Sequence, residues 1–327
     1  MAVVKAAVGL GLIGYLLWDA ARQDSIDTLI EQPKQWTLLL VALGLTIASV
    51  LLSFVRWRMI VQAAGIEMGL AEASRAGALG FGLNAVGPGA VSGDLFKAVV
   101  VARGRVGQRT AAVTTVLVDR VMGLLTMLSV AGLAYALTSA FELPMDSAVQ
   151  YTGRLVSLLA IGGLAGVGAL FIPGLAGARL AAWLRRVPLA GEPLAEVVEV
   201  WAAYRSRPAK LASAAAVSVV VALLFVAGFY CVALGLPLDH PPLIAHGLIV
   251  PVALTAGALV PTPNGLGVRE GAANLLYDGL GVGDGQGALI GLGHSLTLLT
   301  VSALAIVYYL AQRSRVQSEV ANTKPAP

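Results

Sequence analysis

Charge is scarce in this chain. Asp, Glu, Lys and Arg make up 12% of its 327 residues, about half the share of an ordinary soluble domain. No hydrophilic stretch is long enough to form a separate soluble domain. Cysteine is almost absent. The single Cys231 lies in an apolar run; it can close no intramolecular disulfide, builds no cysteine-based metal site, and reads as a packing residue. Histidine occurs three times, and His240 and His246 lack metal-ligand spacing with acidic partners. No metal or other cofactor is inferred. There is no Gly-x-x-x-x-Gly-Lys-Ser/Thr run to cradle a nucleotide phosphate, and no paired His or Ser–His–Asp set. A nucleotide-driven pump and a headgroup transferase therefore have little to work with, and the chain is expected not to be an enzyme.

What fills the sequence is apolar residues, 57% of the total. Runs near or above about 18–20 apolar residues recur along its length, the signature of a polytopic membrane protein. Membrane helices are expected at about 3–20, 36–55, 110–138, 154–172, 211–235 and 286–310. The first has Lys5 before an apolar run but no small-x-small site after it, so it reads as an uncleaved helix rather than a leader. The net charge of +4 does not point to nucleic acid, because Lys and Arg gather in short loops between apolar runs. That pattern sets orientation, with the positive loops inside.

Arg56, Arg58, Arg75, Arg103, Arg105 and Arg109 mark one side as cytoplasmic, and Asp19, Asp24, Asp27 and Glu31 mark the opposite loop as external. The connection 173–210 is basic and cytoplasmic, and Leu194, Val197, Val198, Trp201 and Tyr204 give it an interfacial amphipathic helix. Both termini are expected in the cytoplasm of a cell with the protein in its inner membrane. Residues 1–312 form one transmembrane domain and 313–327 a disordered tail.

Two stretches break the apolar pattern. They are Asn84-Ala-Val-Gly-Pro-Gly-Ala-Val-Ser-Gly-Asp-Leu-Phe-Lys97 and Pro261-Thr-Pro-Asn-Gly-Leu-Gly-Val-Arg-Glu-Gly271. Broken backbone in hydrocarbon is tolerated only where protein or a wet cavity covers it. Pro88, Gly89, Gly93, Pro261, Pro263, Gly265 and Gly267 supply the breaks. By loop charge the two hairpins enter from opposite faces, which makes units 36–138 and 211–310 an inverted repeat. The fold expected is all-α, with about six spanning helices and two re-entrant hairpins. Such matched interruptions are a pointer to a transporter's site. Gly162 with Gly166, and Gly287 with Gly291, provide small-x-x-x-small spacing for helix packing.

Six charges sit in or beside the breaks: Asp94, Lys97, Asp119, Arg120, Arg269 and Glu270. Asp119 is about 15 Å along a helix from Arg109 at about 1.5 Å per residue, near the middle of a core about 30 Å thick. Charges at that depth need partners. Adjacent helical residues diverge, so cross-pairing between halves is expected: Arg269 with Asp94 or Asp119, and Glu270 with Arg120 or Lys97. Either these are fixed salt bridges, or some donors are shared with a phosphate, which suits arginine and helix N-termini. Ser92 is a candidate cap for a helix starting near Gly93, and a second helix starts near Val268. Asn84 and Asn264 are secondary candidates, each more often a cap than a ligand-binding group. His294, alone in the last helix, reads as packing with proton coupling as the lesser alternative.

Several motifs are familiar in combination. Val55-Arg-Trp-Arg58 runs into Ala64-Gly-Ile66; Pro88, Gly93, Asp94 and Lys97 follow; then come Thr115-Val-Leu-Val-Asp-Arg-Val-Met-Gly123 and Pro261–Gly271. The set resembles the flippase-like transmembrane domain of lysylphosphatidylglycerol synthases, over nearly the whole chain. The resemblance implies a membrane part that moves or holds a lipid with an anionic or modified headgroup, such as an anionic phospholipid or a prenyl phosphate. In two-part members a soluble aminoacyl-transfer domain follows; only a short tail follows the last expected helix here, so a stand-alone member is expected. A scaffold that presents lipid to a membrane enzyme partner is the alternative. The resemblance leaves the oligomeric state open.

Overall fold

In a computed structural model, the structure describes residues 2–22, 25–86, 92–102, 109–169, 171–172, 181–183, 185–186, 201, 204–260, 262–283 and 285–322. Helices account for it, and no strand occurs among the described residues. They are α1 (Ala2–Arg22), α2 (Ser25–Glu31), α3 (Trp36–Ala63), α4 (Leu70–Val86), α5 (Ser92–Ala102), α6 (Arg109–Ala140), α7 (Ser147–Ala169), α8 (Pro208–Gly235), α9 (Leu243–Leu259), α10 (Val268–Asp278) and α11 (Gln286–Asn322), with one 3-10 turn at Pro263–Gly265. Five of them, α3, α6, α7, α8 and α11, are long and apolar enough to cross a membrane, which makes this a multi-pass membrane protein. The amphipathic helix expected from Leu194, Val197 and Val198 lies outside the described residues. Of that stretch, Trp201 and Tyr204 are buried against Ile60 of α3 and Leu211 of α8. α11 runs on to Asn322, past the expected start of a disordered tail at 313. The residues there favour helix, and no glycine or proline intervenes before Pro325.

α3 and α8 form the central pair and run antiparallel. Gly235 lies against Leu39, Gly228 against Thr46, Ser49 donates to the Val221 carbonyl at 2.9 Å, and Arg207 donates to the Gln62 carbonyl at 2.8 Å. Around that pair the packing comes in matched sets. α4 packs on α5 as α9 packs on α10. α5 packs on α6 as α10 packs on α11. Across the halves, α4 lies on α11 as α9 lies on α6.

Both hairpins close on glycine. A Cβ on Gly93 would run into the Gly80 backbone, and one on Gly265 would meet the Gly257 backbone at 2.7 Å. Gly265 and Gly267 also hold positive φ, at +71° and +84°, a region where glycine has no steric cost. α1 covers the second break: a Cβ on its Gly9 would lie 3.2 Å from the Leu266 carbonyl oxygen, and Leu12 lies beside Gly267. Gly287 and Gly291 do bring α11 close to α10, at Tyr277 and Glu270. Gly162 and Gly166 do not repeat this; a Cβ on either meets nothing within 4 Å among the described residues. The main core joins α6, α7, α8, α9 and α10 around Phe229, Leu248, Ile249 and Tyr277, with Cys231 half-buried at its edge.

Candidate functional site

The first break brings charge from three helices together. α5 begins at Ser92, and Asn84 of α4 accepts a hydrogen bond from the Gly93 N–H at 2.9 Å. Asn84 is therefore the cap of this half-helix, as expected of an asparagine at a broken end. The Ser92 side chain, Pro88, Gly89, Pro261 and the Pro263 side chain lie outside the described residues. Asp94, on the first turn of α5, pairs with Arg120 of α6 at 2.5 Å. Asp119 pairs with Arg56 of α3, Nε to Oδ1, at 2.9 Å. The Arg56 guanidinium also lies 3.3 Å from the space a Cβ on Gly123 would fill, and reaches Ser218 of α8 at 3.4 Å. Lys97, one turn past Asp94, stands over the Trp57 ring at 5.2 Å, a cation–π geometry.

This arrangement corrects the expected cross-pairing. Asp94 and Asp119 find their cations within their own half, at Arg120 and Arg56. The residue missed was Arg56. It marked a cytoplasmic helix end in the sequence, yet α3 continues past it through Met59, Ile60 and Val61 to Ala63. That apolar continuation was the available signal. Its side chain is 11% exposed and points inward.

Arg56, Lys97 and Arg120 outnumber Asp94 and Asp119 by one positive charge. Asp94 Oδ1 is buried and has no hydrogen-bond partner among the described residues, and the same holds for Trp57 Nε1 and the Tyr204 hydroxyl. Burial pushes the Tyr204 hydroxyl's pKa up, and the Asp119 charge adds to that, so this group stays a neutral donor. Arg120 is the open edge of the set. Its side chain is 43% exposed, and Leu117, Val121 and Leu124 on the same face of α6 are exposed too. Residues at this spacing share one helix face.

The second break is built differently. Glu270 accepts from the Gly267 N–H through Oε2 at 2.6 Å, which closes a capping box on α10. Its Oε1 accepts from the Ser295 hydroxyl of α11, and Arg269 Nη2 donates to that same hydroxyl at 2.8 Å. Arg269 Nε is 3.6 Å from Glu270 Oε1. Neighbouring residues thus do meet, against expectation, because Ser295 bridges them from the next helix. Both side chains are sealed, at 5% and 0% exposure. Asn264 takes a left-handed conformation in the turn, with its Nδ2 buried and unpartnered among the described residues.

No set of three metal-ligating side chains occurs among the described residues. Two surface cavities are present. One, of about 350 Å³, is lined by Ser25, Thr28, Gln32, Asp239 and Gln286 among others. The other, of about 250 Å³, lies at Met59, Gln62 and Lys210. Neither contains the charged sets.

Fold and site define a multi-pass, all-α membrane protein with charge held at two glycine-closed helix breaks. The chain belongs to the lysylphosphatidylglycerol synthase TM region family, whose model matches residues 2–305. This relates the protein to the handling of membrane lipids. No curated protein matches the chain.

Proposed function

We propose that the protein is a flippase-like lipid transporter, not an enzyme, and that the first break receives an anionic headgroup. The observation that supports it is Arg120: a cation 43% exposed on an otherwise apolar helix face, tethered by Asp94 and backed by a set with one positive charge in excess. A lipid beside α6 can bring its phosphate to the Arg120 guanidinium while its chains stay in hydrocarbon. Arginine's planar fork suits phosphate, and Lys97 adds a second cation from α5.

The matched packing and the antiparallel α3–α8 pair support an inverted repeat, with two re-entrant hairpins opening to opposite faces. In the orientation that loop charge favours, both termini face the cytoplasm. Rocking of one half against the other would expose the site to each leaflet in turn.

The second reading is a scaffold that holds lipid for a membrane enzyme. It is favoured by the Arg269–Ser295–Glu270 set, which is sealed and bridged by the Ser295 hydroxyl as a structural tie. The test is purified protein in liposomes with a labelled anionic phospholipid or a labelled prenyl phosphate. Transbilayer movement of either, lost in Arg120→Ala, supports transport. Binding without movement supports the scaffold. Neither binding nor movement of both lipids rejects the lipid site.

A further inference from the structure

All three histidines of the chain lie in one file in the second half. His240 sits half-buried in the loop between α8 and α9. Its ring is 6.2 Å from that of His246 on α9. His246 lies 5.8 Å from the Phe229 ring of α8, and Phe229 lies 5.1 Å from His294 of α11. Next to His294 in sequence is Ser295, the hydroxyl that bridges Arg269 and Glu270. The file starts beside water: Asp239, adjacent to His240, lines the polar cavity of about 350 Å³.

His294 is the unusual member. It is fully buried, yet neither Nδ1 nor Nε2 has a hydrogen-bond partner among the described residues. Leaving buried polar nitrogens unpaired costs about 1–3 kcal/mol each, so such a group calls for an explanation. His246, by contrast, is fully engaged. Nδ1 faces the Pro242 carbonyl at 3.2 Å, so it carries the proton and donates; Nε2 therefore accepts from the Tyr277 hydroxyl at 2.7 Å.

We propose that this file is a proton path, and that His294 is the proton acceptor that couples lipid movement to a proton gradient. A proton enters from the cavity onto His240 Nε2, since its Nδ1 faces the Pro241 carbonyl. It moves to His246 Nε2 once the Tyr277 hydroxyl turns its hydrogen away. It reaches His294 when Phe229 swings aside and water takes its place. Entry breaks an O–H bond of a hydronium in the cavity and forms N–H on His240, leaving water behind. Each later transfer breaks one N–H and forms another, the relaying water gaining one O–H and losing one, and regenerates one neutral imidazole.

The charges facing His294 give the proton an effect. Arg269 of α10 bears directly on it, and Glu270 of the same helix lies just beyond Ser295. On α8, Phe229 is the facing group, with His246 of α9 on the ring's other side. With His294 neutral, Arg269 and Glu270 cancel. With His294 protonated, that set carries one excess positive charge, and Arg269 is pushed from its place. The tie that holds α10 to α11 loosens only when the proton is there. The coupling rests on the transport reading. Carrying one negative headgroup against the membrane potential costs about 2.3 kcal/mol per 100 mV; one co-moved proton removes that cost.

The test uses the full chain in liposomes with a labelled anionic phospholipid, a tenfold proton gradient, and the membrane potential clamped. One proton per lipid shifts the steady-state distribution by up to about tenfold. His294→Gln is expected to move lipid without that shift. His240→Gln, at the half-buried mouth, is expected to slow the approach to it. A wild-type distribution that ignores the gradient, or an unaltered response in both variants, overturns the proposal. Complete absence of lipid movement counts against the transport reading instead, and the path is then decided by deuterium exchange at the histidine ring carbons, which needs no lipid. Exchange at His294 approaching that at His246 supports access to His294. A His294 that stays unexchanged while His240 exchanges fully overturns it.

Discussion

Asp94 and Glu270 occupy the same register, each the third residue of the helix that follows a break. Glu270 has both oxygens filled, one by the Gly267 N–H and one by Ser295. Asp94 has one oxygen on Arg120 and the other unpartnered among the described residues. The difference follows from who caps the helix. In the first hairpin Asn84 takes the Gly93 N–H, which frees Asp94 from capping. One half is thereby closed around its carboxylate, and the other leaves a buried carboxylate oxygen unpartnered among the described residues.

The open half sets the first expectation. Arg120→Ala should lower transbilayer movement by roughly tenfold to a hundredfold, from loss of a charged hydrogen-bond partner at about 1.5–3 kcal/mol. The substitution also strands the Asp94 carboxylate, 11% exposed, so the melting temperature should fall as well. Arg120→Lys should recover only part of the activity, because a point charge cannot donate bidentately. Initial rates of labelled-lipid scrambling, beside thermal unfolding in detergent, separate the two effects. Equal rates for all three proteins would remove Arg120 from the site.

The closed half sets the opposite expectation. Removing one member of a buried pair leaves an uncompensated charge and costs about 3–5 kcal/mol. Glu270→Ala should therefore unfold the protein or sharply lower its melting temperature, and Ser295→Ala should do so to a smaller degree. Replacing Arg269 and Glu270 together, by Met and Leu, should restore much of the stability. Thermal melts of the four proteins check the order. A stable Glu270→Ala protein would show that the sealed set is no tie.

Much of this architecture was legible in the sequence, and the failures have identifiable causes. Gly93, Gly265 and Gly267 stood out because hydrocarbon makes broken backbone costly, so only a built feature survives there. The starts of α5 and α10 followed from the same residues. The pairing of charges was not legible. Register along one helix is readable at 100° per residue, but which side chain reaches across to the next helix depends on rotation and depth. Arg56 was hidden by the positive-inside rule, under which an arginine near a helix end reads as an orientation signal. Ser218 and Ser295 carried no signal at all, since a serine in an apolar helix usually bonds its own backbone.

The closure of the first hairpin is a matter of space. Gly93→Ala places a methyl group against the Gly80 backbone oxygen, which cannot give way as a flexible side chain would. The Gly93 N–H would also be pulled from Asn84. Loss of folded protein is expected from Gly93→Ala, measured as monodisperse yield in detergent. Gly162→Ala, with open space around its Cβ, is the control and should express normally. Asn84→Ala should fall between them, at about 1 kcal/mol for a lost cap.

The Arg56–Asp119 pair carries the last prediction, since it links three helices through one guanidinium. Arg56 binds Asp119 of α6 and reaches Ser218 of α8, and α3 and α8 form the central antiparallel pair. Arg56→Gln alone strands the Asp119 carboxylate at 6% exposure, with only the more distant charges of Lys97 and Arg120 left to act on it. Asp119→Asn alone strands the guanidinium. Each should destabilise by several kcal/mol, on the scale of about 3–5 for a broken buried pair. Combined, the two neutral amides can hydrogen-bond each other, so the double variant should be more stable than either single one. A double-mutant cycle on melting or denaturant midpoints reads this coupling directly. Additive losses would mean that Arg56 and Asp119 act independently. In that case the positive excess at the first break would rest on Lys97 and Arg120 with Asp94 alone between them.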